Sequence, residues 1–490
     1  MARGRRSSEY ATRDLTSGSI PNNLWFLGWP QIVAGAASAI DEVSDTFWAG
    51  FLGPTAMASV GVGGAFINFL NTFRTGLDTS ARAMVSRAVG AGDMEQANHV
   101  AYQSLLINTG VTVVIMSLGI LGADLLWQAL GVADALSAEG LAYQRMRFAA
   151  SILFGANLVS GSLLTSGGDS FTPMRAQLVG RIVHIALTPP LLFGFGPIPA
   201  MGIAGGALAY GLGHGIGAYI NFRALLAGSS RLHLKFEGLK IDGRLALRQL
   251  QIGVPSAVTG AQASFSGLVV IGFIAPFGAP ALAVYSVTQR LQQLTSFGGQ
   301  SLAQASGVIV GQNLGARKPD RAKATVWWAL ACVGSLQAAI CLLVFLIPEA
   351  FIFAFTRDAQ VIELGAVWLR VAVLGIMFFG VSNVLVSTIN TAGDTMIPML
   401  TGLVSLWLVQ QPLAILLSGA VHWQVLGLQV AYSGPWAIGV LGVPVAIAVA
   451  ATVRFLLVFV YFLRGRWMNK EVLVRPASSE STPAIAATPR

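Results

Sequence analysis

Three carboxylates crowd into one apolar stretch: Asp41, Glu42 and Asp45 of SAIDEVSDTFWAG. An ionisable side chain at mid-membrane costs about 2.5 kcal/mol or more, so its presence there points first to function. Asp41 and Asp45 are four residues apart and share one helix face, with Glu42 about 100° round. Two carboxylates at that spacing in low dielectric do not both ionise easily, and such a pair can take up and release a proton. The competing reading puts all three at the outer end of their span, wetted by solvent. Arg74 and Asp78, also at i,i+4, are expected to pair with each other as a structural ion pair or a gate. Arg290 and Arg454 have no acid close in sequence, so either is available to neutralise a carboxylate or to meet an anionic substrate. His184 and His214 stand isolated and read as hydrogen-bonded packing. Asp169 and Asp394 lie in matching Gly-Asp-(Ser/Thr)-x-x-Pro-Met turns, where a carboxylate is expected to cap the next helix.

The composition says what must hold these groups. Hydrophobic residues make up 54% and charged ones only 10%, and the mean hydropathy is +0.68, which excludes an ordinary soluble domain. Twelve apolar runs are long enough to cross a hydrocarbon core of about 30 Å as helices, at 24–47, 54–78, 98–122, 141–166, 173–195, 200–226, 248–275, 280–304, 323–347, 361–391, 396–419 and 436–463. The alternation of a strand-built barrel is missing. No cleavable signal peptide is expected, because twenty polar residues precede a first span too long for a signal core. Cys332 and Cys341, both in the ninth span, read as packing residues. No metal cluster, phosphate loop or nucleophile motif is found, so neither an enzyme nor a cofactor is expected. Uphill transport would have to draw on an ion gradient or on another chain.

Residues 28–174 recur without a gap 225 positions later, at 253–399. In the clearest block, FGANLVSGSLLTSGGDSFTPM against FGVSNVLVSTINTAGDTMIPM, eight of 21 positions are identical, where composition alone gives roughly one or two. The net charge of +9 follows topology rather than nucleic acid: basic residues gather at the N-terminus, in the 228–248 loop, after span eight and at the C-terminus, while the intervening loops carry acids. Both termini are therefore expected in the cytoplasm. The expected fold is an all-α integral membrane protein of twelve transmembrane helices in two pseudo-symmetric six-helix lobes, a parallel repeat. Its divisions would be a tail at 1–23, an N-lobe at 24–227, a linker at 228–247, a C-lobe at 248–464 and a tail at 465–490. An insertion in the second lobe, VHWQVLGLQVAYSGP, reads as a partly amphipathic cap on the outer side.

Six motifs in order give the chain a resemblance: Pro30 with Asp45-Thr46-Phe47-Trp48-Ala49-Gly50, LGPTAMASVGVG, RAVGAGDMEQA, FGAPALAVYSV, VGQNLGARKPDRA and NTAGDTMIPM. Together with the spans and the repeat they resemble the multidrug and toxic compound extrusion (MATE) family, over about 24–463. The resemblance implies secondary antiport, with amphipathic or cationic compounds leaving the cell as protons or sodium ions enter, through two lobes around a central cavity. It implies that Asp45 is the first-span aspartate of ion coupling, and that Asp394 falls near the second-lobe carboxylate of sodium-coupled members. Two departures are visible. His184 and Thr188 stand where the family pattern has Asn and Asp, and Ala263 where the sodium-coupled branch has a glutamate. Both losses weaken a sodium site of hard oxygens and favour protons, held by Asp41, Glu42 and Asp45 with help from His184.

The leading reading is a proton-coupled efflux antiporter of the plasma membrane. It would act as a monomer in the lipid bilayer on a small amphipathic solute, without nucleic acid. A sodium-coupled antiporter is one alternative. A lipid-linked oligosaccharide flippase is another, which Arg74, Arg290 and Arg454 lining one cavity would favour. A channel-like or regulatory membrane protein is a third.

Overall fold

The structure, a computed structural model, describes residues 13–125, 138–197, 199–234, 241–419, 421–425, 428–432 and 434–473. Twelve long helices follow in order: α1 Ile20–Phe51, α2 Pro54–Gly90, α3 Met94–Leu121, α4 Ala138–Gly167, α5 Phe171–Phe193, α6 Ile203–Leu226, α7 Gly243–Ile274, α8 Ala279–Gly315, α9 Pro319–Leu346, α10 Ala359–Thr391, α11 Met396–Ser418 and α12 Gly442–Leu463. Eight of them, α3–α5, α7 and α9–α12, are long and apolar enough to cross a membrane. The other four, α1, α2, α6 and α8, have 32, 37, 24 and 37 residues, or about 36 Å and upward at 1.5 Å per residue. Leu118, Leu121 and Leu408 are more than two-thirds exposed. Such exposure fits a surface whose solvent is lipid.

The internal repeat of the sequence is a repeat of backbone. Helices α2 and α8 both run 37 residues, and α3 and α9 both run 28, each pair offset by the same 225 positions. The turns repeat as well. Gly53 and Gly278, the equivalent residues that open α2 and α8, have φ of 103° and 88° with extended ψ, a region only glycine occupies without strain. Gly278→Ala is expected to cost about 1–3 kcal/mol, read as a lower unfolding temperature of the detergent-solubilised protein.

Helices α1–α6 pack with one another and α7–α12 likewise, and the two sets meet through α2 against α7, α8 against α1, and α2 against α8. Close crossings explain the glycines there. A Cβ on Gly76 of α2 would fall 2.4 Å from the Gly253 carbonyl oxygen of α7, so only a bare backbone fits. At the far ends of α2 and α8, a Cβ on Gly90 would meet the Gln312 oxygen at 1.9 Å, and one on Gly315 the Arg87 oxygen at 2.1 Å. These contacts are related by the repeat, and the equivalent residues Gln312 and Arg87 each make a hydrogen bond beside them. Gln312 Nε2 donates to the Ser166 carbonyl at 2.9 Å, and Arg87 Nη2 to the Ala392 carbonyl at 3.3 Å.

The insertion, expected as a partly amphipathic cap, contains a pair of strands. Val421–Val425 and Leu428–Tyr432 pair as an antiparallel hairpin, with Val421 opposite Tyr432 and Val425 opposite Leu428. Its alternating β-branched and aromatic residues around a glycine are a strand pattern.

Candidate functional site

Helices α1 and α5 come together at Asp41. Helix α5 in turn lies hard against α6, because Gly180 and Gly213 face each other: a Cβ on either would sit 2.5 Å from the other's carbonyl oxygen. That approach fixes the face of α5 on which Arg181 and His184, three residues apart, point at α1. Asp41 is 2% exposed. Arg181 Nη1 donates to its Oδ2, and His184 Nδ1 lies 2.7 Å from its Oδ1. With the carboxylate ionised, Nδ1 carries the hydrogen and donates. Arg181 also reaches Ser38 on α1, at 3.5 Å. Thr188 donates to the His184 carbonyl at 2.8 Å, so its hydroxyl is bonded within its own helix.

A second layer of rings supports the imidazole. Tyr210 of α6 stands edge-on to His184 at 5.5 Å and against His214 at 4.3 Å, and the Arg147 guanidinium lies 3.4 Å over its ring centroid. His214 Nδ1 is 3.0 Å from Asn157 Nδ2, and Asn157 Oδ1 accepts from Asn221 at 3.0 Å. A polar network fastened in this way holds its titratable members in one geometry. His184 and His214, far apart in sequence, are thus neighbours across one tyrosine, each of them hydrogen-bonded.

Arg181 and Ser38 line a cavity of about 360 Å³ between α1, α2, α4, α5, α6 and α8, and the buried Asp41 is bonded to Arg181. Asp78, Arg82, Gln300 and Gln304 close its other side. Here the expected Arg74–Asp78 pair gives way to another. Arg82 bonds Asp78 and also donates to Gln304 Oε1 at 2.8 Å, while Arg74 donates to Asn71 at 2.8 Å and Ser151 at 3.0 Å. Helical side chains lean toward the N-terminus, so an arginine four residues after an aspartate reaches back to it, and one four residues before leans away.

The other sequence candidates scatter. Arg74 is fully buried in its own network, Arg290 is exposed, and Arg454 lines a separate cavity in the second half. The three arginines therefore do not share the cavity that a flippase reading would need. Asp394 sits in the α10–α11 turn, where Tyr461 donates to it and Lys470 Nζ lies 3.4 Å away. It lines neither cavity. Its repeat mate Asp169 does cap the next helix, accepting from the Phe171 and Thr172 amides at 3.1 and 3.0 Å. Burial pushes the Asp169 carboxyl up from its usual range, against those hydrogen bonds. Glu42 and Asp45 belong to α1, but their side chains lie outside the described residues. Sequence reasoning passes over Arg181, Tyr210, Asn157 and Arg82. The signal for Arg181 is present: two basic residues three apart on a membrane helix require an acid from elsewhere.

The family model MatE matches residues 30–189 and again residues 255–416, one match in each half of the repeat. The chain is 24% identical over 420 residues to the probable multidrug resistance protein YoeA of Bacillus subtilis, across 84% of this chain and 90% of that one. It is 23% identical over 457 residues to the probable multidrug resistance protein NorM of Thermotoga maritima, across 93% and 94%. Among solved structures, one described as the outward-facing conformation of a multidrug resistance MATE family transporter of the MOP superfamily superposes with a TM-score of 0.82 at 18% identity, over 95% of this chain and 99% of that one.

Proposed function

The chain belongs to the MatE family of membrane transporters, and from that premise we propose that it is an antiporter of the plasma membrane, with both termini cytoplasmic, exporting amphipathic or cationic solutes in exchange for protons. The observation that carries this reading is Asp41 held between Arg181 and His184. Arg181 already supplies a full positive charge to that carboxylate, and both carboxylate oxygens have donors. A sodium ion would have to displace a guanidinium and find several further hard oxygens. A proton needs only the imidazole or the carboxylate itself.

Protonation would end the balance of the cluster. A proton on Asp41 cancels the charge that holds Arg181, and a proton on His184 sets two cations against one acid. Either event frees Arg181, which stands at the wall of the 360 Å³ cavity, to turn toward solvent or solute. The lobes, 24–227 and 248–464, would then rock about the linker between them, opening and closing the α2–α8 contact. With the basic loops facing the cytoplasm, the clasp of Gly90 and Gly315 would lie on the cytoplasmic side and hold that side shut.

Uptake of a fluorescent lipophilic cation into proteoliposomes tests the reading. An imposed pH gradient is expected to drive uptake and an imposed sodium gradient is not. Sodium-driven uptake with no response to pH would contradict it.

A further inference from the structure

The second half contains a pocket whose charge reverses that of the first. It measures about 170 Å³ and lies between α7, α8, α10, α11 and α12. Under the 225 offset the three acids of α1, Asp41, Glu42 and Asp45, correspond to Ser266, Gly267 and Val270 of α7. All three of these neutral residues line the pocket. On the opposite wall, α12 aligns with α6 when Gly442 is set against Gly202, which puts Arg454 where the first half has His214. The repeat has thus lost every acid at this place and has exchanged a neutral-to-cationic ring for a permanent cation.

The local bonding shows which groups remain unspent. Gln410 and Gln411 both donate to Ser266 Oγ, at 3.2 and 2.8 Å, so their amide nitrogens are spent within the protein, while the buried Gln411 Oε1 has no hydrogen-bond partner among the described residues. Arg454 is not held in this way. Among the described residues it makes no ion pair, and its buried Nε has no hydrogen-bond partner. It lies in the middle of α12, Gly442–Leu463, at the depth where a lone guanidinium is hardest to accommodate. No Asp or Glu lines the pocket.

We propose that this pocket binds the carboxylate of the transported solute through Arg454. One guanidinium with no second cation matches a monoanion better than a phosphate dianion, and its planar fork accepts a carboxylate through two parallel hydrogen bonds. Trp368, Tyr285 and Phe379 supply an aromatic wall for the ring that carries the carboxylate. The pocket and the first cavity flank one helix. Gln292 of α8 lines the second and Gln300 the first, eight residues or about 12 Å apart, a span that an aromatic solute with opposite charges at its ends can bridge. This inference rests on the transporter reading and adds the substrate class.

Binding of two dyes that differ only at the carboxylate tests it: tetramethylrhodamine, a zwitterion, and its methyl ester, a cation. Fluorescence anisotropy with the purified full chain in detergent reads both without any gradient, so a failure of proton coupling leaves the result intact. The wild type is expected to bind the zwitterion about tenfold more tightly than the ester. Arg454→Gln should erase that difference with the ester unchanged, and Arg454→Lys should retain part of it. The unfolding temperature of Arg454→Gln should not fall, since the guanidinium has no protein partner to abandon. The proposal is overturned if the wild type does not bind the zwitterion, binds both dyes equally, or if Arg454→Gln weakens both alike.

Discussion

Asp41→Asn is expected to reduce pH-driven uptake by about tenfold or more. The substitution keeps the shape of the side chain and removes its charge, so no proton arriving at the cluster can change the hold on Arg181. A coupling free energy of about 1–3 kcal/mol corresponds to roughly 5- to 150-fold in the balance between states. Losing it leaves solute equilibration without accumulation. The neutral amide would also leave Arg181 without its acid at a site where the guanidinium is only 15% exposed, and stability should fall with it. His184→Gln separates the two effects. It keeps a donor for Asp41 and leaves the Arg181 pair intact, yet removes the titrating ring. Near-normal stability with a shifted pH profile of uptake is expected for this variant, and an unchanged profile would remove His184 from the coupling.

The second large effect is expected at the α2–α8 clasp. Gly90 has no room for even a methyl group, because its Cβ would lie 1.9 Å from the Gln312 oxygen. Gly90→Leu must push the two helix ends apart, at an overpacking cost of about 1–3 kcal/mol borne only by the state in which they touch. The equilibrium should move by roughly 5- to 150-fold toward the state open at that end. Ser166, fully buried beside the contact, provides the readout. With the exposed Cys332 replaced by serine, Ser166→Cys should resist a membrane-impermeant maleimide in the otherwise native chain. It should react when Gly90→Leu is added, and solute uptake should be lost. Continued protection together with full transport would show that the clasp is not a gate.

The architecture is legible in the sequence because its cause is periodic. Long apolar runs specify membrane helices, and a fixed offset of 225 specifies that the second half copies the first, down to the equal lengths of α2 and α8. The three acids of α1 are legible because charge is rare in such a segment. Their partners are not. Arg181 and His184 stand 140 and 143 residues from Asp41, and only the packing of α5 on α1 joins them. Spacing alone pairs Asp78 with the wrong arginine, since it treats both directions along a helix as equal, whereas side-chain lean does not. The insertion reads in sequence only as a partly amphipathic cap, because apolar residues at short range satisfy either the helical or the strand period. Arg454 is visible as a lone charge, but its meaning requires the pocket around it.

Proton release on solute binding examines the coupling most directly. Purified protein in weakly buffered detergent solution is mixed with the fluorescent cation near neutral pH, and the proton change is followed with an indicator dye. Because linkage is reciprocal, a solute that competes with a proton must expel it. The expected result is release approaching about one proton per solute bound in the wild type, and none in Asp41→Asn that still binds. Equal release from both proteins, or binding to the wild type with no proton released, would contradict coupling through Asp41.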